Sequence, residues 1–202
     1  MDKRIIFATG NQNKVRELNM ILQDAGIPIV SMKDAGIAAD IAENGKTFRE
    51  NALIKAKAVA EASGEIALAD DSGLVIDALN GEPGIYSARF MGRDTSYSIK
   101  NKALIDRMKD VPDEKRTARF VCDVAVVFPD GRTFVEEGIM EGRIAHRAAG
   151  ENGFGYDPVF YLPEYGCTSA QLPPEKKNEI SHRGKALKAM RQVLARELNK
   201  DA

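Results

Sequence analysis

The sequence predicts one α/β unit spanning residues 1–202, and three observations lead there. Short apolar runs of strand length alternate with segments whose apolar residues recur at three- and four-residue spacing, the mark of amphipathic helices. A Pro129-Asp130-Gly131 turn between two long segments of strand character signals a hairpin in the second half. No internal repeat, low-complexity tract or Ser/Gly linker divides the 202 residues. A chain of that length can bury roughly 70% of its unfolded surface, enough for a core that frames a cleft.

Each element follows in order. Arg4-Ile5-Ile6-Phe7-Ala8, stopped by Thr9-Gly10-Asn11, reads as a buried strand entering a turn. Val15, Leu18, Ile21, Leu22 and Ala25 then mark a helix that Gly26 ends, and residues 27–32 read as a second strand. Thr47 and Glu50 stand three apart ahead of Ala52, Leu53, Ala56 and Ala60, a capping-box start to a helix that Gly64 closes. Ile66-Ala67-Leu68-Ala69 and Leu74-Val75-Ile76 read as two strands separated by a turn at Asp70-Asp71-Ser72-Gly73. Residues 80–92 read as a loop. Residues 98–109 predict a helix with Ile99, Ala103, Leu104 and Met108 inward, closed by Pro112. Residues 120–128 and 133–144 form the hairpin, and a last helix over about 181–198 carries Leu187, Met190, Leu194 and Leu198 on one face.

Composition narrows the function classes. Apolar residues at 44% and charged residues at 29% suit a globular protein. No apolar run reaches the roughly 20 residues needed to span a bilayer, and no signal-peptide pattern opens the chain, so a cytoplasmic location is expected. Cys122 and Cys167 fit no metal-ligand spacing and read as reduced thiols. A formal net charge of −1 argues against polymeric DNA or RNA as a partner, while leaving small anions open.

Chemistry has four candidate places. Thr9-Gly10-Asn11-Gln12-Asn13-Lys14 lies where a strand hands over to a helix, so free amides and the helix dipole offer a phosphate cradle to which Lys14 adds charge. The ordinary reading is a turn with an exposed lysine, and the spacing is not that of a Walker loop. Asp70-Asp71-Ser72-Gly73 sets two carboxylates side by side, a conflict that a shared cation resolves; Mg²⁺ with Glu43 as a distant second ligand suits it, and an Asp-rich turn is the alternative. In Gly150-Glu151-Asn152-Gly153-Phe154-Gly155-Tyr156-Asp157-Pro158, glycines permit close approach and an aromatic ring can stack on a base; Phe154 suits stacking, whereas Tyr156 equally suits the core. Lys177 with Ser181-His182-Arg183-Gly184 places cations and a histidine at a helix start. They oppose the dipole there unless an anion is present, and solvated charges are the plainer reading.

Taken together, these segments resemble the inosine/xanthosine triphosphate pyrophosphatase family, enzymes that remove deaminated purine nucleotides. The carriers are Thr9 to Lys14; Glu43, Gly45, Thr47-Phe48 and Glu50-Asn51-Ala52; Ala69-Asp70-Asp71-Ser72-Gly73-Leu74; Pro83-Gly84-Ile85-Tyr86-Ser87-Ala88-Arg89; Gly153 to Pro158; and Lys177 with Ile180 to Gly184. One departure is Ala42-Glu43, where family members often carry two acidic residues. The resemblance implies a long mixed central sheet flanked by helices, two lobes around a central cleft, Mg²⁺ dependence and a homodimer. It casts Asp71 as catalytic carboxylate and, with Glu43, metal ligand; as proton acceptor, Asp71 has Asp70 as its nearest rival. Thr9, Gly10, Asn11, Gln12, Asn13, Lys14 and Ser72 become phosphate or substrate contacts, and Phe154, Gly155, Tyr156, Asp157, Lys177, His182 and Arg183 base and phosphate contacts. The activity it implies is hydrolysis of ITP, dITP and XTP to monophosphate and pyrophosphate, selected by an oxygen at the purine 6-position. A metal-dependent phosphomonoesterase and a nucleotide-sensing binding module are the alternatives. Two adjacent aspartates point to opposite sides of an extended chain, which weakens the phosphomonoesterase.

Overall fold

A computed structural model describes residues 4–22, 28–38 and 41–200. The helix stop expected at Ala25 and Gly26, and Ile27 of the second strand, lie outside the described residues. The run Ile5-Ile6-Phe7 forms β1 (Ile5–Phe7), buried throughout, as an apolar run without alternation requires. It lies parallel to β2 (Ile29–Ser31) on one side and β3 (Ile66–Ile76) on the other, with Ile6 opposite Val30 and Ala67. Helix α1 (Gln12–Leu22) follows β1 and buries Leu18 and Leu22.

Helix α2 (Phe48–Ser63) buries Phe48, Asn51, Ala52, Lys55, Ala56, Val59 and Ala60, a stripe at helical spacing that includes two polar residues. Thr47 caps it, its Oγ1 accepting from Glu50 N at 3.1 Å. Glu50 completes the cap one residue earlier than a capping box requires, since its carboxylate accepts from Lys46 N at 2.6 Å. Gly64 ends the helix, donating to the Ala60 carbonyl.

Two readings are corrected. The turn expected at Asp70-Asp71-Ser72-Gly73 is absent, because β3 runs unbroken through it. Turn-forming composition yields there to charge pairing that only distant segments supply. In α3 (Tyr97–Arg107), Ile99 faces outward at 54% exposure while Lys100 and Asn101 turn inward. Each finds a carbonyl, Lys100 Nζ that of Ala88 at 2.8 Å and Asn101 Nδ2 that of Gly155 at 3.0 Å, which offsets burying the polar groups. The hairpin strands are β4 (Thr117–Val127) and β5 (Thr133–Ile144), with Gly131 N donating to the Phe128 carbonyl in the turn between them. Three short elements that periodicity does not announce follow: β6 (Phe160–Leu162), β7 (Cys167–Thr168) and α4 (Pro174–Ile180). Helix α5 (His182–Asn199) ends the described chain.

The sheet order is β2-β1-β3-β4-β5-β6-β7. Pairing is parallel among β2, β1 and β3 and antiparallel among β5, β6 and β7, so the sheet is long and mixed, as expected, with five α-helices among the described residues. The chain packs as two compact units, Met1–Asp71 with Cys122–Gly138 and His182–Ala202, and Ser72–Val121 with Ile139–Ser181. In the first, Ile5, Phe7, Leu68, Cys122, Val124 and Val126 pack with Leu18, Leu22, Leu187 and Met190 of α1 and α5. The alternate positions Ile6, Ala67, Ala69, Ala125 and Val127 pack with Ala52, Ala56 and Val59 of α2. The second unit has its own core around Leu74, Ile76, Leu104, Met108, Phe120 and Phe160. No helix among the described residues is long and apolar enough to cross a membrane.

Candidate active site

Successive strand residues face opposite sides, so β3 aims Asp70 and Asp71 of the first unit into different surroundings. Asp70, 1% exposed, faces α1 and α5. Lys14 Nζ lies 3.0 Å from its carboxylate, and Arg183 donates to Oδ2 through Nε and Nη2, each at 3.1 Å. Arg183 also holds Glu17 of α1, Nη1 to Oε2 at 2.6 Å. Burial by itself raises the Asp70 pKa, but Lys14, Arg183 and Lys55 outweigh it and hold the carboxyl well below its ordinary range. Cys122 Sγ stands 3.9 Å from Oδ2, and burial beside that charge pushes its thiol far up, as expected of an inert structural cysteine.

Asp71 faces α2. Asn51 Nδ2 donates to its Oδ2 at 3.1 Å, and Lys55 Nζ lies 3.6 Å from Oδ1. The same ammonium is 2.9 Å from Glu43 Oε1, so one cation reaches both carboxylates and is held more closely by Glu43. Lys55 is raised, burial being outweighed by Asp71, Asp70 and Glu43, as an ion-paired lysine should be. Asp71 is also raised, which simple pairing with Lys55 would not give. Burial dominates, and the neighbouring Glu43 adds to it against Lys55, Lys14 and Asn51. The shared lysine leaves Asp71 undercompensated, and its carboxyl is held above the ordinary range. Asn51, fully buried, also accepts from Gly45 N at 2.9 Å, so it ties the Glu43 loop to Asp71.

The Thr9 to Lys14 segment is surface loop running into the head of α1. Asn11 N donates to Thr9 Oγ1 (3.2 Å) and Asn13 N to Asn11 Oδ1 (3.0 Å), while Gly10, Asn11, Gln12 and Asn13 are exposed. His182 opens α5, 5% exposed, beside Arg183 at 2%. Lys14 and Arg183 therefore meet at one carboxylate, so Lys14 is not simply an exposed turn lysine and Arg183 is not a solvated helix-end charge.

The remaining expected residues belong to the second unit. Ser72 follows Asp71 in β3 and is partly exposed. Asp157, 2% exposed, accepts from Lys177 Nζ at 2.6 Å, Phe154 N at 2.8 Å and Ser169 Oγ at 3.0 Å. Gly153 (φ 73°) passes so close to that carboxylate that any Cβ would overlap it, which accounts for glycine there. The half-buried Phe154 ring has the Lys177 ammonium 4.8 Å from its centroid. The Gly155 carbonyl is pinned by Asn101. The side chain of Tyr156 is a core group and not a stacking surface: it is 3% exposed, its hydroxyl donates to the Ser87 carbonyl at 2.7 Å, and its ring meets Tyr97 edge-on.

Sequence reasoning overlooked Lys55, named Asn51 within a motif without giving it a place in the arrangement, and overlooked Glu17. A signal existed for the first two, since both occupy inward positions of the α2 stripe, where an unpaired polar residue is costly. Glu17 sits three residues after Lys14 on α1, and nothing local marks it.

Known proteins resemble this chain along nearly its whole length. A family model described as the Ham1 family matches residues 5–193. The chain is 49% identical over 193 residues to a dITP/XTP pyrophosphatase of Desulforamulus reducens, covering 96% of both chains. It is 45% identical to that of Listeria monocytogenes, covering 98% and 97%. Among solved structures, the Staphylococcus aureus Ham1 protein superposes with a TM-score of 0.87 at 40% identity, covering 96% of this chain and all of that one. A nucleoside-triphosphatase, dITP/XTP pyrophosphatase, of Mycobacterium abscessus gives 0.76 at 43%, covering 93% and 98%. With the match running almost end to end and the same resemblance carried by motifs in the site, this chain belongs to the Ham1 family.

Proposed function

We propose that the chain hydrolyses dITP, XTP and ITP to the monophosphate and pyrophosphate, using Mg²⁺. The carrying observation is the division of labour on β3: Lys14 and Arg183 fix Asp70 as an anion, while the raised Asp71 retains affinity for a proton. The names borne by the relatives support the same reaction.

Glu43 and Asp71 suit Mg²⁺, since they are hard oxygen donors that already share one cation, the Lys55 ammonium. A triphosphate would add negative charge beside Glu43 and Asp71, which a divalent cation would offset. When bound, the ion neutralises charge developing on the phosphate oxygens. Asp71 accepts the proton of the attacking water; the water oxygen bonds to the α-phosphorus, the α–β bridging P–O bond breaks, and pyrophosphate leaves. The Thr9 to Lys14 amides hold phosphate oxygens at the head of α1, and Ser72 contacts the substrate. The resemblance assigns base and phosphate contacts to Phe154, by stacking, and to Gly155, Tyr156, Asp157 and Lys177 in the second unit, and to the donors His182 and Arg183 in the first. A 6-oxo group accepts from such donors where the adenine amino group leaves them unpaired, at a cost of about 1–3 kcal/mol each. The working form is a cytoplasmic homodimer.

The test incubates purified protein with dITP, XTP, ITP, ATP and GTP in Mg²⁺ and assays both pyrophosphate and phosphate. Pyrophosphate from the first three, at rates at least tenfold above ATP, is expected. Phosphate instead would make the chain a phosphomonoesterase, and tight binding without turnover a sensor.

A further inference from the structure

Gly138 sits in β5, buried, and its backbone is not in the left-handed region that favours glycine. What it lacks is room. A Cβ built there would overlap the His182 carbonyl oxygen and stand 2.7 Å from Ala186 N and 3.0 Å from the His182 carbonyl carbon. These are backbone atoms at the head of α5, a carbonyl and an amide four residues apart, the spacing of a helical hydrogen bond. Flexible side chains could swing aside; a helix turn moves only as a body.

That turn carries His182 and Arg183, and Arg183 reaches back to Asp70 and Glu17. We infer that Gly138 is a positioning residue: by having no side chain, it lets the head of α5 settle against β5 at the distance that brings Arg183 onto Asp70. All of these groups belong to the first unit. The helix is further anchored by Ala186, Leu187 and Met190 in the core, so lifting the first turn tilts it about a fixed body. Ordinary contact needs about 3.4 Å, and an added methyl therefore displaces the turn by the order of an ångström. Displacement of that size costs about 100-fold when it separates reacting or binding groups.

The inference rests on the proposed function, and the experiment separates the two. Pyrophosphate release from dITP by the wild-type protein tests the function alone. Gly138→Ala is then expected to keep its far-ultraviolet spectrum, to lose about 10- to 100-fold in kcat/KM for dITP, and to lose at least part of the preference for dITP over ATP. Leu194→Ala, which hollows the core further along α5, should lower Tm yet leave kcat/KM within threefold, so that instability alone is distinguished from misplacement. Hydrogen exchange on the unaltered protein provides a readout that needs no variant to fold: the Ala186 and Leu187 amides should exchange as slowly as that of Met190. A folded Gly138→Ala enzyme within threefold of wild type overturns the inference and leaves the function standing. So do Ala186 and Leu187 amides that exchange at fraying rates. A wild-type protein without turnover removes the function, and the exchange comparison then decides for Gly138.

Discussion

Asp70 and Asp71 are chemically identical and adjacent, yet the strand gives them different surroundings. Replacing Asp71 by Asn removes the proposed proton acceptor, and kcat should fall by about 100-fold or more, the usual worth of a positioned general base, with the fold intact by circular dichroism. Asp70→Asn acts differently: it leaves Lys14 and Arg183 facing a buried site without its anion, at a cost of about 3–5 kcal/mol in urea unfolding. Because the folded Asp70 pKa lies below the unfolded value of 3.8, that stabilisation is fully present above pH 4 and is lost as pH falls through the folded value. A third carboxylate behaves in the reverse sense. Asp123, 5% exposed on β4, is pushed up to about 6 by burial and by Glu137 of β5 and Asp71 of β3, against Arg49 of α2. The folded protein holds that proton more tightly than the unfolded chain does, so stability drops as pH rises from about 4 to 6 and stays lower above. Asp123→Asn should therefore stabilise by about 1–2 kcal/mol at pH 8, screening by solvent allowed for, and by nothing below pH 4. A gain that persists at pH 3.5 would contradict this account.

At the scale of elements, legibility followed range. Helix α2 was readable because its signals are local: the Thr47 cap, the apolar stripe, the Gly64 stop. Strand β3 was misread at its centre because Asp-Asp-Ser-Gly is turn composition, and what straightens it lies elsewhere in the sequence, at Lys14, Asn51, Lys55 and Arg183. The phase of α3 was misread for a related reason: Lys100 and Asn101 are drawn inward by carbonyls of Ala88 and Gly155, partners that no periodicity reveals. Motif spacing survives an error in secondary structure, and the structure brings Lys14 and Arg183 of two separate motifs to Asp70 of a third. Thr47→Ala should lower stability by about 1 kcal/mol, the usual worth of an N-cap, with measured urea midpoints as the check. Since α2 carries both Asn51 and Lys55, the same variant should also raise the Mg²⁺ concentration needed for half-maximal rate. Loss of stability with unchanged Mg²⁺ dependence would show that fraying stops short of Asn51.

For the whole molecule, neither compact unit is continuous in the chain, and β3, β4 and β5 each contribute residues to both. The boundary falls inside strands, with no linker between separable domains, which is why composition gave no sign of it. Opening either unit completely requires unravelling parts of strands whose other parts belong to the second, so unfolding should be a single transition. The sequence supplies the probes. There is no tryptophan, and all five tyrosines, Tyr86, Tyr97, Tyr156, Tyr161 and Tyr165, fall in the second unit, so tyrosine emission reports on it alone. Ellipticity at 222 nm is weighted toward the first unit, which holds α1, α2 and α5. Urea midpoints from the two signals should coincide, as two-state unfolding demands. If emission changes at a lower urea concentration than ellipticity, the second unit opens while the first stands, and the shared strands do not couple them.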